Sequence, residues 1–310
     1  MPSTNRIVLA TILLLLCTAC TTRADDSVSI ADAPDAKPNF GVFTNPEPVM
    51  IEGYSQDAME PFISPDGNYL FFNNSNSTRP TNLYYATRID DLTFQFQGEI
   101  AGANSGGLTL SAVPSIDMNK TFYFISDRSY AQTFSTIYSG TFSAGSVSNV
   151  ALVQGVSKDK PGDVNFDQCI SPDGGTLYFV DGVFSGGASI PAAATIAIAK
   201  RHGDHFVRLK NSAEIMRKIN THDLNYAPDV SKSGLEFFFT RIPKQGSEPK
   251  PPPVIYTATR SKTSKPFGAP RKIEAITGFA EAPALSPDEK SLYFHLNVNG
   301  TFQIYRLTRP

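Results

Sequence analysis

Apolar residues in this chain come in short blocks, each set off by a tight polar turn, and the blocks recur at a nearly constant interval. Glu60-Pro61-Phe62-Ile63-Ser64-Pro65-Asp66-Gly67 leads to Leu70-Phe71-Phe72, and Pro114-Ser115-Ile116-Asp117 leads to Phe122-Tyr123-Phe124. Cys169-Ile170-Ser171-Pro172-Asp173-Gly174 leads to Leu177-Tyr178-Phe179, Pro228-Asp229-Val230-Ser231 to Phe237-Phe238-Phe239, and Pro283-Ala284-Leu285-Ser286-Pro287-Asp288 to Leu292-Tyr293-Phe294. With Gln168 standing where the other copies have Pro, the intervals are 53, 54, 60 and 55 residues. A period of that size is the mark of a repeat architecture. Within each copy, Pro-Asp-Gly supplies a fixed φ, a side-chain acceptor and a permissive residue in succession, so the phrase predicts two strands joined by a hairpin turn.

A third aromatic or β-branched run follows in every copy, as in Leu83-Tyr84-Tyr85, Ile137-Tyr138, Ile196-Ala197-Ile198, Val254-Ile255-Tyr256 and Ile304-Tyr305, and several of these close on Arg or Lys. A weaker fourth run precedes the next copy, near Asn149 to Val153 and near Arg271 to Ile276. Four antiparallel strands per repeat make one propeller blade. The chain ends after the third run of the fifth copy, and a spare strand-like run, residues 48–52, stands before the first. That run is expected to complete the last blade beside Ile304, so that no sheet edge stays open. The fold class is therefore all-β, a five-bladed β-propeller of four-stranded antiparallel blades over residues 46–310, closed by the N-terminal strand.

Composition changes this picture little. A hydrophobic share of 41%, with 22 Phe and 12 Tyr, is ample for a large β core. The net charge of -2, without a basic run, argues against nucleic acid as a partner.

The N-terminus adds a location. One positive charge within residues 1–6 and the apolar run of residues 7–16 read as a secretory signal, since ten residues are too few to span a bilayer. Thr18-Ala19-Cys20 resembles a bacterial lipoprotein processing site, with residues 1–19 removed and Cys20 lipidated; ordinary cleavage near Ala24 is the alternative. Thr21 is not the Asp linked with inner-membrane retention, so a protein exported and held in the cell envelope, at the outer membrane of a Gram-negative cell, is expected. Residues 20–45 read as a polar tether. Cys169 then has no partner for an internal disulfide and reads as a small buried hydrophobe.

The Ser-Pro-Asp-Gly phrase with its following Leu-Tyr-Phe, complete at Ser171 to Phe179 and closely varied at Ser64 to Phe72 and Ser286 to Phe294, resembles the WD-like repeat of the TolB-type propellers. The resemblance covers nearly the whole mature chain and implies architecture. Propellers of this kind serve as protein-binding platforms, sugar-active enzymes and peptidase caps alike, so function has to come from sites.

First-strand entries and second-to-third-strand loops share one face of a propeller, and here those loops, at residues 73–81, 127–133, 181–194, 241–253 and 297–300, are the long ones. Asp57, Glu60, Asp163, Asn165, Asp167, His222, Asp223, Asn225, Tyr226 and Glu281 form the expected polar ring at the channel mouth. The leading expectation is a noncatalytic, envelope-anchored, monomeric module that holds a protein, peptide or glycan there, without cofactor or metal. The alternative is a glycoside hydrolase using Glu60 and Asp167, which occupy equivalent places in their repeats, with Glu281 or Asp223 as a third carboxylate. Val113, Ala227 and Ala282 fill the same place in the other three repeats. His202-Gly203-Asp204-His205 could offer metal ligands but reads as a solvated turn, and Asp66, Asp173 and Asp288 read as turn residues rather than calcium ligands.

Overall fold

The computed structural model describes residues 40–77, 80–107, 109–184, 190–243 and 251–310. The signal, Cys20, most of the tether and residues 244–250 of the proline-rich loop lie outside the described residues. Five blades form the ring. Blade 1 runs from inside outwards as Met59–Ile63, Tyr69–Asn73, Leu83–Arg88 and Thr93–Glu99; blade 2 as Ser111–Ile116, Thr121–Ser126, Ile137–Ser143 and Ser146–Leu152. Blade 3 is Asp163–Ile170, Thr176–Val183, Ala193–His202 and His205–Arg208, and blade 4 is Leu224–Val230, Glu236–Ile242, Val254–Thr259 and Arg271–Lys272. Blade 5 is Ala280–Leu285, Ser291–Val298 and Thr301–Thr308, completed by Thr44–Pro48 from the other end of the chain. Inner strands of successive blades neighbour one another all the way round, the fifth meeting the first.

Closure differs in register from the expectation. Thr44–Pro48 is the strand that pairs with the last blade, Glu47 opposite Arg306 and Pro48 opposite Tyr305, and the Val49 N–H donates to the Ile304 carbonyl at 2.8 Å. Ile51 does not join blade 5. Met50–Glu52 crosses to blade 1 and pairs in parallel with its outer strand, Ile51 opposite Phe94. One extended segment thus hydrogen-bonds both the first and the last blade, which covers two edges rather than one. Phe43 is also part of the body, 5% exposed with the Arg309 guanidinium 4.5 Å over its ring, so the packed propeller begins before residue 46.

The hairpin turns behave as their sequence dictates. Ser171 Oγ donates to Asp173 Oδ1 at 2.6 Å, Gly175 N–H donates to the same oxygen, and Thr176 N–H donates to Ser171 Oγ. The hydroxyl and the amide hold the Asp173 carboxyl below its usual range. The same contacts recur at Ser64 and Asp66 and at Ser286 and Asp288. Gly67, Gly174 and Gly234 take the left-handed φ of the turn, and Lys120 and Glu289 are forced into it in the other two blades.

Aromatic residues of the second strands fill the spaces between blades, as where Phe71 meets Phe122 and Phe142 edge-on at 5.1 and 5.0 Å. Basic residues near the ends of the third strands pin blades 3, 4 and 5 to their predecessors, Arg201 donating to Tyr123 Oη of blade 2. Arg260 Nε donates to the Gly234 carbonyl of its own turn and Nη2 to Tyr178 Oη of blade 3; Arg309 Nε donates to the Glu289 carbonyl and Nη1 to Glu236 Oε1 of blade 4. Cys169 is 3% exposed and its thiol lies 3.2 Å from Asp229 Oδ1, a polar contact that a purely apolar reading of this cysteine does not include.

Candidate functional site

Each inner strand carries one extra residue against its partner, between Met59 and Phe62, Ala112 and Ser115, Phe166 and Cys169, Tyr226 and Asp229, and Glu281 and Ala284. These are β-bulges, which bend a strand and re-aim a side chain. The bulged residues Glu60, Val113, Asp167, Ala227 and Ala282 all have left-handed φ, between 46° and 56°. Five non-glycine residues in that region, one of them β-branched, mark a conformation that the surrounding ring imposes. Proline follows the bulge in four blades, at a point where no ladder hydrogen bond from its nitrogen is needed.

The bulges are tied round the axis by a shared device. Val113 N–H donates to Asn73 Oδ1 at 3.0 Å, Ala282 N–H to Thr240 Oγ1 at 3.1 Å, and Glu60 N–H to His295 Nδ1 at 3.1 Å. In each case the acceptor follows the aromatic triplet on the preceding blade. Blade 3 has Val180 at that place, which offers no acceptor, and Asp167 itself reaches across so that Oδ2 receives the Ala227 N–H at 3.0 Å.

Above this ring opens a cavity of about 550 Å³. Glu60, Asp167 and Glu281 line its floor, with Tyr226 and Asn165; Asn76 and Asp127 come from the second-to-third-strand loops, and Leu110, Phe166, Phe184, Ile190 and Ile242 make an apolar wall. Glu281 stands one residue before the bulge of blade 5, the place that Phe166 and Tyr226 hold in blades 3 and 4.

The three acids act on one another. Burial pushes Glu60 well above the usual carboxylate range, the charges of Asp167 and Glu281 push it further, and only the Asn76 amide, 3.0 Å from Oε1, works the other way. Burial lifts Asp167 to about 7, opposed by the Ala227 N–H and reinforced by Glu281. Tyr226 is raised well above its ordinary value, first by burial and then by the Glu281 charge. Glu281 receives the Tyr226 hydroxyl on Oε1 and His295 Nε2 at 3.0 Å on Oε2. Because His295 Nδ1 accepts from Glu60 N–H, its proton must sit on Nε2, and the fully buried imidazole donates to Glu281.

Of the ten residues expected at the mouth, Glu60, Asn165, Asp167, Tyr226 and Glu281 meet in this cavity and five do not. Asp57 Oδ1 accepts from Phe302 N–H at 2.8 Å and ties blade 1 to blade 5. The Asp163 backbone carbonyl accepts from Tyr130 Oη, the His222 side chain is 86% exposed, Asp223 lies 3.8 Å from Arg241 Nε, and Asn225 is buried with Oδ1 accepting from Arg241 Nε. The third carboxylate is thus Glu281 and not Asp223. Asn76 and His295 were not anticipated; a polar residue directly after an aromatic triplet, as at Asn73, Thr240 and His295, is the signal that points to the latter. His202 and His205 end two strands of a plain hairpin with Asp204 fully exposed.

No protein-family model matches this sequence, and no curated protein matches it. Among solved structures, one described as a glycoside hydrolase superposes with a TM-score of 0.57 at 9% identity, over 88% of this chain and 92% of that one. The endo-arabinase from Bacteroides thetaiotaomicron VPI-5482 gives 0.53 at 12%, over 85% of this chain and 98% of that one. TolB from Acinetobacter baumannii gives 0.44 at 15%, over 82% of this chain and 55% of that one, an overlap too loose to carry argument. At such identities the likeness establishes the fold alone, and it does not single out TolB among propellers.

Proposed function

We propose that this propeller binds a saccharide in the Glu60, Asp167 and Glu281 cavity and hydrolyses a glycosidic bond there. The observation that carries the reading is the meeting of three carboxyl groups from blades 1, 3 and 5, Glu60 and Asp167 buried and Glu281 partly so, in one cavity with an apolar wall. Glycoside hydrolysis needs a carboxylic acid that keeps its proton at neutral pH and a carboxylate that stays ionised. Glu60 suits the acid: buried beside two negative charges, it holds a proton and can pass it from its carboxyl to the departing glycosidic oxygen. Glu281, held in place by hydrogen bonds from Tyr226 and His295, is the residue we assign to take a proton from water or attack the anomeric carbon. The charge of Asp167 helps keep Glu60 protonated. Structural neighbours described as glycoside hydrolases support this reading over a purely noncatalytic one.

The test is turnover on a panel of aryl glycosides and oligosaccharides by the unaltered chain and by Glu60→Gln and Glu281→Gln. Loss of activity by at least about a hundredfold in both is expected, the usual contribution of an acid or base. Equal turnover in either variant disposes of its assigned role. A second reading, binding without chemistry, is favoured by the structural partners of Asp167 and Glu281; saccharide binding with no turnover in the unaltered chain selects it. We further propose, on residues 1–20 alone, that Cys20 anchors the propeller in the cell envelope, so that Cys20→Ala should release it from the membrane fraction.

A further inference from the structure

A second large cavity, of about 570 Å³, opens on the opposite face between blades 3 and 4, beside the hairpin turns. Its chemistry is the reverse of the first. Arg260 lines it, 6% exposed, with Nε donating to the Gly234 carbonyl at 2.7 Å, Nη1 to the Thr263 carbonyl at 2.8 Å and Nη2 to Tyr178 Oη at 3.2 Å. The Phe267 ring lies 4.2 Å beneath it. These contacts fix the guanidinium but are all neutral. The corresponding residue of blade 5, Arg309, has Glu236 as its counter-ion, whereas among the described residues Arg260 has no carboxylate within ion-pair range. Burial weakens its hold on its proton, and only Tyr178 compensates.

Lys200 and Lys232 line the same cavity and are both exposed, Lys200 Nζ donating to Thr176 Oγ1 at 2.6 Å. The carboxylate among the lining residues is Asp173, whose Oδ1 is taken by Ser171 Oγ and Gly175 N–H of its own turn. Ile198, Leu209 and Ile215 supply an apolar base. Three cations therefore face one engaged carboxylate over an apolar floor, in a volume typical of small-molecule sites. A buried guanidinium without a counter-ion is costly, and an oxyanion is the partner its planar fork matches best.

We infer that the cavity between blades 3 and 4 binds a small organic anion, its oxyanion head at Arg260, Lys200 and Lys232 and its apolar body against Ile198, Leu209 and Ile215. The site is independent of the acid cavity and of any hydrolysis there. Calorimetric titration of the full chain with hexanoate, with hexanol as the neutral analogue and with inorganic phosphate as the head without the body, tests it. Hexanoate should bind at least about tenfold more tightly than either, since each tenfold corresponds to one good polar or apolar contact set. Lys200→Gln and Lys232→Gln, both at exposed positions, should each weaken hexanoate by about fivefold or more in a chain whose melting curve still shows it folded. Arg260→Lys keeps the charge and loses the fork, so it should also weaken binding; if that variant does not fold, the two lysine variants decide. Hexanol binding as tightly as hexanoate, indifference to the lysine variants, or no binding of hexanoate at about 20 mM overturns the inference.

Discussion

Asp167 should make the protein less stable as pH rises, and Asp167→Asn should remove its share of that dependence, leaving the share of Glu60 and Asp229. The carboxyl is lifted from 3.8 to about 7, first by burial and then by the Glu281 charge, against the Ala227 N–H. Between those two values the folded protein keeps a proton that the unfolded chain releases. The folded state thus binds more protons than the unfolded one in that window, and unfolding free energy falls as pH increases. The favourable contribution is complete below pH 3.8 and gone above about 7. A difference of 3.2 between 7 and 3.8, at about 1.4 kcal/mol per unit, amounts to about 4 kcal/mol. Asn keeps a side-chain oxygen to receive the Ala227 N–H but has no proton to lose.

Urea unfolding at pH 4.5, 6 and 8, followed by circular dichroism or by fluorescence of the 12 Tyr since the chain has no Trp, measures the effect. The two proteins should be within about 1 kcal/mol of each other at the lowest pH, and the variant should lead by about 3 to 4 kcal/mol at the highest. Asp173→Asn serves as a control of opposite sign. Its carboxyl is held low by the Ser171 hydroxyl and the Gly175 N–H, so its stabilising contribution is present at neutral pH and fades on acidification. A constant difference between Asp167→Asn and the unaltered chain across this range would refute the claim that the carboxyl is buried among uncompensated negative charge.

Other perturbations follow from single contacts. Arg309→Met leaves Glu236 buried without its partner, both side chains being at most 5% exposed, and should cost about 3 to 5 kcal/mol in urea unfolding, most of which Arg309→Met with Glu236→Met recovers. Lys120→Gly relieves a lysine at φ 63° and should raise stability by up to about 1 kcal/mol, read as a higher melting temperature. Gly155→Ala places a Cβ 1.8 Å from the Phe206 carbonyl oxygen at φ 85°, and a loss of more than about 3 kcal/mol or failure to fold is expected. Asp167→Ala removes the acceptor of the Ala227 N–H and should cost about 1 to 3 kcal/mol at pH 4.5, where the charge no longer offsets it.

The fold was legible because each repeat carries its own instructions: Ser171, Asp173 and Gly174 encode the turn, and Leu177-Tyr178-Phe179 encodes the strand that packs between blades. Closure was less legible. Met50–Glu52 is three residues long, pairs in parallel and belongs to no repeat, so only the contact with Thr93–Glu99 reveals that it leaves blade 5. At the site, Glu60 and Asp167 stood out because they hold the same place in their repeats, a place the structure shows to be a β-bulge at the axis. His222 and Asp223 stand before Leu224–Val230 begins and miss the cavity: the His222 side chain is 86% exposed, and Asp223 lies 3.8 Å from Arg241 Nε. His295 was hidden for another reason. Its place is held by Asn73, Ile125, Val180 and Thr240 elsewhere, so the polar residue after the triplet recurs in only three of five repeats and is a weak signal.

The same ring separates the acids by what folding asks of them. Asp167 stands on the blade where Val180 leaves the next bulge without an acceptor, so a propeller with no chemistry at all would still need it. Glu281 is held by Tyr226 and His295, and His295 in turn holds the Glu60 backbone, so it too belongs to the frame. The Glu60 carboxylate caps no backbone group among the described residues; its partner is the Asn76 amide from a loop. Burying it beside two other acids opposes folding without closing the ring. A carboxyl placed there against stability is what the proposed acid role of Glu60 requires, and Glu60→Gln should therefore stabilise the fold while it abolishes any turnover.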